Sequence, residues 1–337
     1  MNLVTGGTGL VGAHLLLHLL QKGEKVRALY RNEKSIQKTI AFFKESGSLE
    51  RFDEIDWIQG DITNIPSLEV AFKDIKYVYH CAALISFNSK DEELLRKTNI
   101  EGTSNMVNCA LHFGVEKFCH VSSIAALGDP INSSYEIDEN CEWNPEKHHS
   151  DYSISKYGAE MEVFRAQQEG LKTVIVNPGV ILGSGFWEVG SGKIFESVAK
   201  GNPFYTDGTS GFIAVEDVVA ILFSLMKSEI QNERFSLVSE NIAYKTLLEW
   251  IAEAMNKNSP TIKVGSIVTQ IAWRFSSLLA LFGIKKFGIT KNLAISLHNK
   301  SIYSNKKINE ALSHDFIPIK AYCKSLASKY TIFYRVS

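Results

Sequence analysis

The stretch TGGTGLVG, Thr5–Gly12, decides how this chain is read. It follows a short apolar run, Met1–Thr5, and precedes a second one, His14–Gln21 (HLLLHLLQ). Its glycines stand where a strand must turn sharply into a helix. One glycine permits the tight turn, one lets the backbone approach a pyrophosphate, and one lets helix and strand pack closely. The helix N-terminus then offers free N–H groups and a positive dipole end to phosphate. Lys25–Tyr30 (KVRALY) reads as a returning strand, which completes a βαβ unit with parallel strands and a right-handed crossover. A glycine turn by itself is common. Its place in this unit makes Gly6, Thr8, Gly9, Leu10, Val11 and Gly12 candidate dinucleotide contacts.

The alternation continues. Strands are expected at Asp56–Gln59, Tyr77–Cys81, Lys117–Ser122 and Lys172–Asn177. Helices are expected at Ser67–Phe72, Asn99–Phe113 and Tyr152–Gln168. This pattern predicts an α/β protein with a Rossmann-type doubly wound parallel sheet. Past Pro178 the regularity fades. Gly183–Gly211 is rich in Gly and Ser and reads as a loop or lid, followed by helices at Ile213–Met226 and Tyr244–Met255. The expected division is a dinucleotide-binding domain from residues 1–177 with about 211–234. A smaller, discontinuous C-terminal substrate lobe takes about 178–210 and 235–337.

Composition sets the outer limits. With 337 residues, 45% hydrophobic and 22% charged, the chain can bury a large core, which excludes disordered and collagen-like classes. A net charge of −1 argues against a general nucleic-acid binder. The charge is uneven: residues 1–255 hold 23 Lys/Arg against 35 Asp/Glu, and residues 256–337 hold 13 against Glu310 and Asp315. Two accounts are open: an anionic partner for the C-terminal part, or compensation between two lobes. The five cysteines include no CxxC pair and read as free thiols in a reducing compartment. The nine histidines lack metal-ligand spacing, so no metal is expected. The chain opens directly on a strand pattern, so no leader peptide is expected and a cytoplasmic location is. Ile267–Phe282 is too short and too polar to span a bilayer. It could lie on a membrane surface beside Lys285 and Lys286, or form a buried or dimer-forming helix.

Two further patterns carry chemistry. Tyr152 and Lys156 are spaced i, i+4 and share a helix face. An ammonium beside a phenol is expected to lower the phenol pKa from about 10 and make it a usable proton donor. Ser122 and Ser123 close the strand KFCHVS at its C-terminal end, where ligands bind in open α/β sheets. Each pattern also has a bland reading, as a surface pair or as strand-end capping. Tyr30 and Arg31 end the second strand without an acidic residue. That favours NADP, whose 2′-phosphate an arginine can accept, over NAD; a solvated basic turn is the alternative.

Together these motifs resemble the extended branch of the short-chain dehydrogenase/reductase superfamily, the NAD-dependent epimerase/dehydratase family, over essentially the whole chain. Asp61-Ile62 resembles the segment that reads adenine. His80-Cys-Ala-Ala83 resembles the loop lining the cofactor, so that Cys81, Ala82 and Ala83 become candidate contacts. Asn99, Pro178 and Val180 match further cofactor positions. The resemblance implies that Ser123, Tyr152 and Lys156 are catalytic. Ser123 is preferred to Ser122 because it lies five residues before Gly128. The implied reaction moves hydride between nicotinamide and a substrate carbon while Tyr152 exchanges a proton with the substrate oxygen. Lys156 then tunes Tyr152 and holds the nicotinamide ribose.

Within the family the pattern is nearest the dihydroflavonol reductase and 3β-hydroxysteroid dehydrogenase-like branch. Ser210-Gly-Phe-Ile-Ala-Val-Glu-Asp217 lacks the arginine that sugar-nucleotide enzymes place at its first position. Asn177-Pro178 resembles the reductase form of that segment. Apolar residues Leu84, Ile85, Phe87, Val180, Phe186 and Trp187 suggest a hydrophobic pocket. Ile85, Phe87, Phe186 and Ser123 are taken as substrate contacts. The expected function is reduction of a hydrophobic aldehyde or ketone, a small-molecule substrate. A nucleotide-sugar epimerase/dehydratase and a non-catalytic dinucleotide-binding protein remain as alternatives. A homodimer is compatible with the family.

Overall fold

The computed structural model describes residues 1–129, 136–271, 273 and 290–336. Most of the stretch Ile267–Phe282, with Lys285 and Lys286, lies outside them. Among the described residues no helix is long and apolar enough to cross a membrane.

The first half alternates strands and helices. In order come β1 (Asn2–Thr5), α1 (Leu10–Gln21), β2 (Val26–Tyr30), α2 (Glu33–Glu45), β3 (Asp56–Gln59), α3 (Ile65–Ala71) and β4 (Tyr77–His80). A short α4 (Glu92–Leu95) runs into a π-helical turn at Arg96–Glu101, then α5 (Gly102–His112) and β5 (Lys117–Val121). After the two-residue β6 (Glu136–Ile137) come α6 (Asp151–Gln168), β7 (Thr173–Pro178) and β8 (Val180–Leu182). The remainder holds α7 (Gly192–Ala199), β9 (Phe204–Tyr205), β10 (Thr209–Ala214), α8 (Val215–Lys227), β11 (Glu233–Leu237), β12 (Glu240–Ala243) and α9 (Tyr244–Ala254). Among the described residues, further helices include Lys291–Ser296, Lys306–Leu312 and Ile319–Val336.

Seven strands form one sheet in the order β11-β7-β5-β4-β1-β2-β3, every neighbouring pair parallel. Strand order reverses between β1 and β4, so a crevice opens beyond their C-terminal ends. One apolar core packs α1 and α8 against one face of the sheet, through Leu15, Leu16, Leu19, Val218, Ile221 and Leu222. A second packs α3, α5 and α6 against the other face, through Leu68, Met106, Val107 and Val163. Near-continuous burial of β1, β5 and β7 is what helices on both faces demand. A third core joins β8, β10, α7, α9 and the C-terminal helix, through Leu182, Phe195, Phe212, Ile251 and Leu326.

Several expectations need correction. Glu33–Glu45 is helical, started by the Asn32 side chain accepting the Lys34 N–H, and the hydrophobic reading passed over it. The segment expected as a loop or lid after Gly183 contains α7, β9 and β10. The helix expected from Ile213 begins at Val215, after strand β10. Edge strand β11 runs across the boundary expected at residue 234. The helix expected from Asn99 is interrupted by the π-turn that carries Asn99 itself.

Candidate active site

The turn after β1 is built as its glycines require. Gly6 has φ +71, a left-handed conformation that side-chain-bearing residues disfavour. A Cβ there would also lie 2.7 Å from the Ala82 nitrogen, at the end of β4. A Cβ on Gly12 would lie 2.1 Å from the Gly6 carbonyl oxygen, so α1 can pack this close only with glycine. Gly9 precedes α1 in extended conformation with no side chain capping the helix, and no acidic residue occupies its first turn. The open N–H groups and the dipole end therefore face the crevice.

A cleft of about 330 Å3 begins at this turn. It brings together Gly6, Thr8, Gly9, Arg31, Asp61, Ile62, Cys81, Ala82 and Ala83, all expected cofactor contacts. Asn32 and Ser35 also line it and were not expected. Arg31 is exposed, with Nη1 3.9 Å from Asp61 Oδ2. Asp61 Oδ1 accepts from the Thr63 N–H and hydroxyl. These residues fit a dinucleotide: an uncapped helix end for the phosphates, a cradle that a Cβ would fill, and polar groups at the far end.

A buried relay fixes the wall of the cleft. His80 Nδ1 lies 2.8 Å from the Thr5 hydroxyl, which accepts the Ala82 N–H at 3.2 Å. His80 Nε2 lies 3.1 Å from the Thr103 hydroxyl. Burial, aided by the nearby Lys156 charge, pulls the His80 pKa down to about 3, so the ring is neutral. Asn99 clamps the same loop. Its oxygen accepts the Leu84 N–H at 2.8 Å, and its amide donates to the Leu84 carbonyl at 3.0 Å and to the Ser155 hydroxyl at 2.9 Å. The π-turn sets this aim, and such turns are frequent at functional sites.

The three expected catalytic side chains meet beyond β5. Ser150 caps α6 by accepting the Ser153 N–H, which starts the helix just before Tyr152. Tyr152 is buried and hydrogen-bonds Ser123, while the Ser123 hydroxyl also accepts the Ala125 N–H at 3.1 Å. Lys156 donates to the Val121 carbonyl at 2.9 Å. Burial lowers its pKa to about 8, opposed by Glu160 and Cys81. The expected depression of the tyrosine pKa is not what the geometry gives. Burial raises it, and only the Ser123 hydrogen bond opposes. The Lys156 ammonium is held at the strand end instead.

The remaining residues separate. Phe87 leans on Tyr152 with ring centroids 5.7 Å apart, and Ile85 is exposed. Phe186 is buried against Phe42 at 6.2 Å in the first core. Trp187 is likewise buried, edge-on to Phe195 and Tyr330. Leu10 and Val11 pack on the first core, Pro178 ends β7, and Val180 packs on the third core. His149 stacks on Trp143 at 3.8 Å. The sequence reading also missed Glu160, one turn beyond Lys156 and fully buried. The i, i+4 spacing was the available signal.

Residues 2–237 match the NAD dependent epimerase/dehydratase family. A putative dihydroflavonol 4-reductase of Synechocystis is 32% identical over 290 residues, covering 83% of this chain and 80% of the relative. Sterol demethylase protein B of Methylococcus capsulatus is 29% identical over 266 residues, covering 78% and 76%. The crystal structure of gox2253 superposes with a TM-score of 0.82 at 26% identity, covering 99% of this chain and 98% of that one. Reductases and UDP-sugar epimerases both occur among the relatives and structural neighbours, and some of the latter hold NAD. With its parallel sheet, glycine turn and sequence match in agreement, this chain belongs to the NAD dependent epimerase/dehydratase family, whose members are NAD(P)-dependent oxidoreductases and epimerases of the extended short-chain dehydrogenase/reductase type.

Proposed function

We propose that this protein is an NADP-dependent reductase of a hydrophobic aldehyde or ketone. The observation that carries the reading is the convergence of Ser123, Tyr152 and Lys156 beyond the C-terminal end of β5, past the dinucleotide cleft. When bound, the reduced nicotinamide supplies the hydride. Ser123 holds and polarises the carbonyl oxygen. Tyr152 gives that oxygen its proton, so carbonyl plus hydride plus proton yields the alcohol. Lys156 holds the nicotinamide ribose and places positive charge near the phenol as it loses its proton.

NADP is preferred because Arg31, with Asn32 and Ser35, offers donors where the adenosine 2′-phosphate would lie, and no acidic residue ends β2. A hydrophobic substrate is supported by Phe87 beside Tyr152. It is also supported by Ser210, a buried side chain at the position where a sugar-nucleotide enzyme would carry arginine. The named reductases among the relatives favour the same class. The epimerase reading has no comparable anchor for a nucleotide diphosphate at that position. Assaying NADPH and NADH separately with hydrophobic carbonyl compounds tests the proposal: net loss of NADPH supports it. Isomerisation of a UDP-sugar without net cofactor loss would replace it.

A further inference from the structure

The inner face of α6 carries a charge that the proton and hydride transfers do not use. Glu160 is fully buried, one helical turn beyond Lys156 and on the same face. A carboxylate this deep persists only if it is paired and hydrogen-bonded. Glu160 meets both conditions. Arg234 of β11 reaches Oε2 at 3.0 Å, and Asn177 of β7 donates to Oε1 at 2.5 Å. Arg234 also donates to the Glu139 carbonyl oxygen, and the Glu139 carboxylate accepts the Ser236 N–H at 2.5 Å. Asn177 donates further to the Ser123 carbonyl at 2.8 Å, tying the cluster to the serine.

The groups facing Lys156 come from three elements. Tyr152 and Glu160 lie on its own helix. His80 and Cys81 approach from the end of β4, and His120 and the Val121 carbonyl from β5. Burial keeps both imidazoles neutral and the Cys81 thiol protonated. Of these groups Glu160 is the carboxyl group: burial raises its pKa, and the Arg234 charge with the Asn177 hydrogen bond opposes that rise and supports the carboxylate.

We propose that Glu160 is a positioning residue whose charge keeps Lys156 an ammonium inside a closed, largely apolar site. The inference rests on the role given to Lys156 above. A neutral amine could still accept a hydrogen bond, but it would neither hold the ribose hydroxyls as firmly nor offset charge on the phenol.

The test compares the wild type with Glu160→Gln, which keeps the shape and can still accept from the Asn177 amide, and with Glu160→Asp, which keeps the charge. The Lys156 titration is read by NMR of protein labelled with 15N-lysine, with Lys156→Arg fixing the assignment. In Glu160→Gln the titration should fall by about one pH unit or more. The alkaline limb of kcat/KM should move with it, and Glu160→Asp should restore most of the shift. If Glu160→Gln does not fold, Glu160→Gln with Arg234→Met removes both charges together, and a smaller fall in the same direction is expected because losing the Arg234 charge partly offsets it. An unmoved Lys156 titration, with a lower unfolding temperature alone, would overturn the proposal. A shifted titration in a protein that reduces nothing would leave this proposal standing and refute the reductase reading.

Discussion

Lys156 Nζ and the Val121 carbonyl oxygen are 2.9 Å apart, and this contact joins the first turns of α6 to the end of β5. Tyr152 lies one turn before Lys156 on α6 and Ser123 lies two residues after Val121, so one buried hydrogen bond holds the two segments in register.

Tyr152→Phe keeps the ring against Phe87 and removes only the hydroxyl. Turnover should fall by about 100-fold or more, the usual scale for losing a general acid. Dinucleotide binding, followed by quenching of protein fluorescence, should stay within a few-fold of the wild type. Full activity in this variant would refute the assignment.

Gly12→Ala places a methyl group 2.1 Å from the Gly6 carbonyl oxygen. The turn must open to admit it, and overpacking of this kind costs about 1–3 kcal/mol. Weaker dinucleotide binding and a lower thermal midpoint are expected together. Unchanged binding by calorimetry would show that the turn is not the phosphate site.

Arg31→Ala should weaken NADPH binding by roughly 10-fold or more, the effect of losing a charge-assisted hydrogen bond of about 1.5–3 kcal/mol. NADH binding should change little. Equal effects on both would remove the basis for preferring NADP.

Stability should fall steeply with acid. His80 and His14 have folded-state pKa values of about 3 and about 4, and His120 is held well below its ordinary value, in each case chiefly by burial. The unfolded chain therefore binds more protons than the folded one below about pH 6.5. The stabilisation is complete above that pH and is lost as pH falls toward the folded values. Each such histidine contributes up to about 1.4 kcal/mol per pH unit in that window. His120→Phe should flatten the acid limb of a urea-unfolding series, since neither ring nitrogen has a hydrogen-bond partner to lose.

Much of this was legible in the sequence because its signals are local. The strand expected at Asp56–Gln59 is β3. The glycine turn and the Tyr152–Lys156 pair carry their geometry in their spacing. What was hidden depends on tertiary partners. Helix α2 buries Thr39, Phe42 and Phe43 toward its C-terminal end, and its cap at Asn32 is a single side chain. Phe186 reads as pocket or core with equal ease until Phe42 arrives from α2. Glu160 looks like a surface helix residue until β7 and β11 bring Asn177 and Arg234 to it. The tyrosine pKa moved opposite to expectation because burial outweighs the Ser123 hydrogen bond, while the Lys156 ammonium is held at the Val121 carbonyl.

The central claim is tested most directly by following the ultraviolet absorbance of NADPH during incubation of the purified protein with hydrophobic aldehydes and ketones, wild type beside Tyr152→Phe. The account predicts steady loss of NADPH with at least one carbonyl compound, formation of its alcohol, and none of this in the variant. NADPH that binds but is not consumed with any of them, or is consumed equally by both proteins, would contradict it.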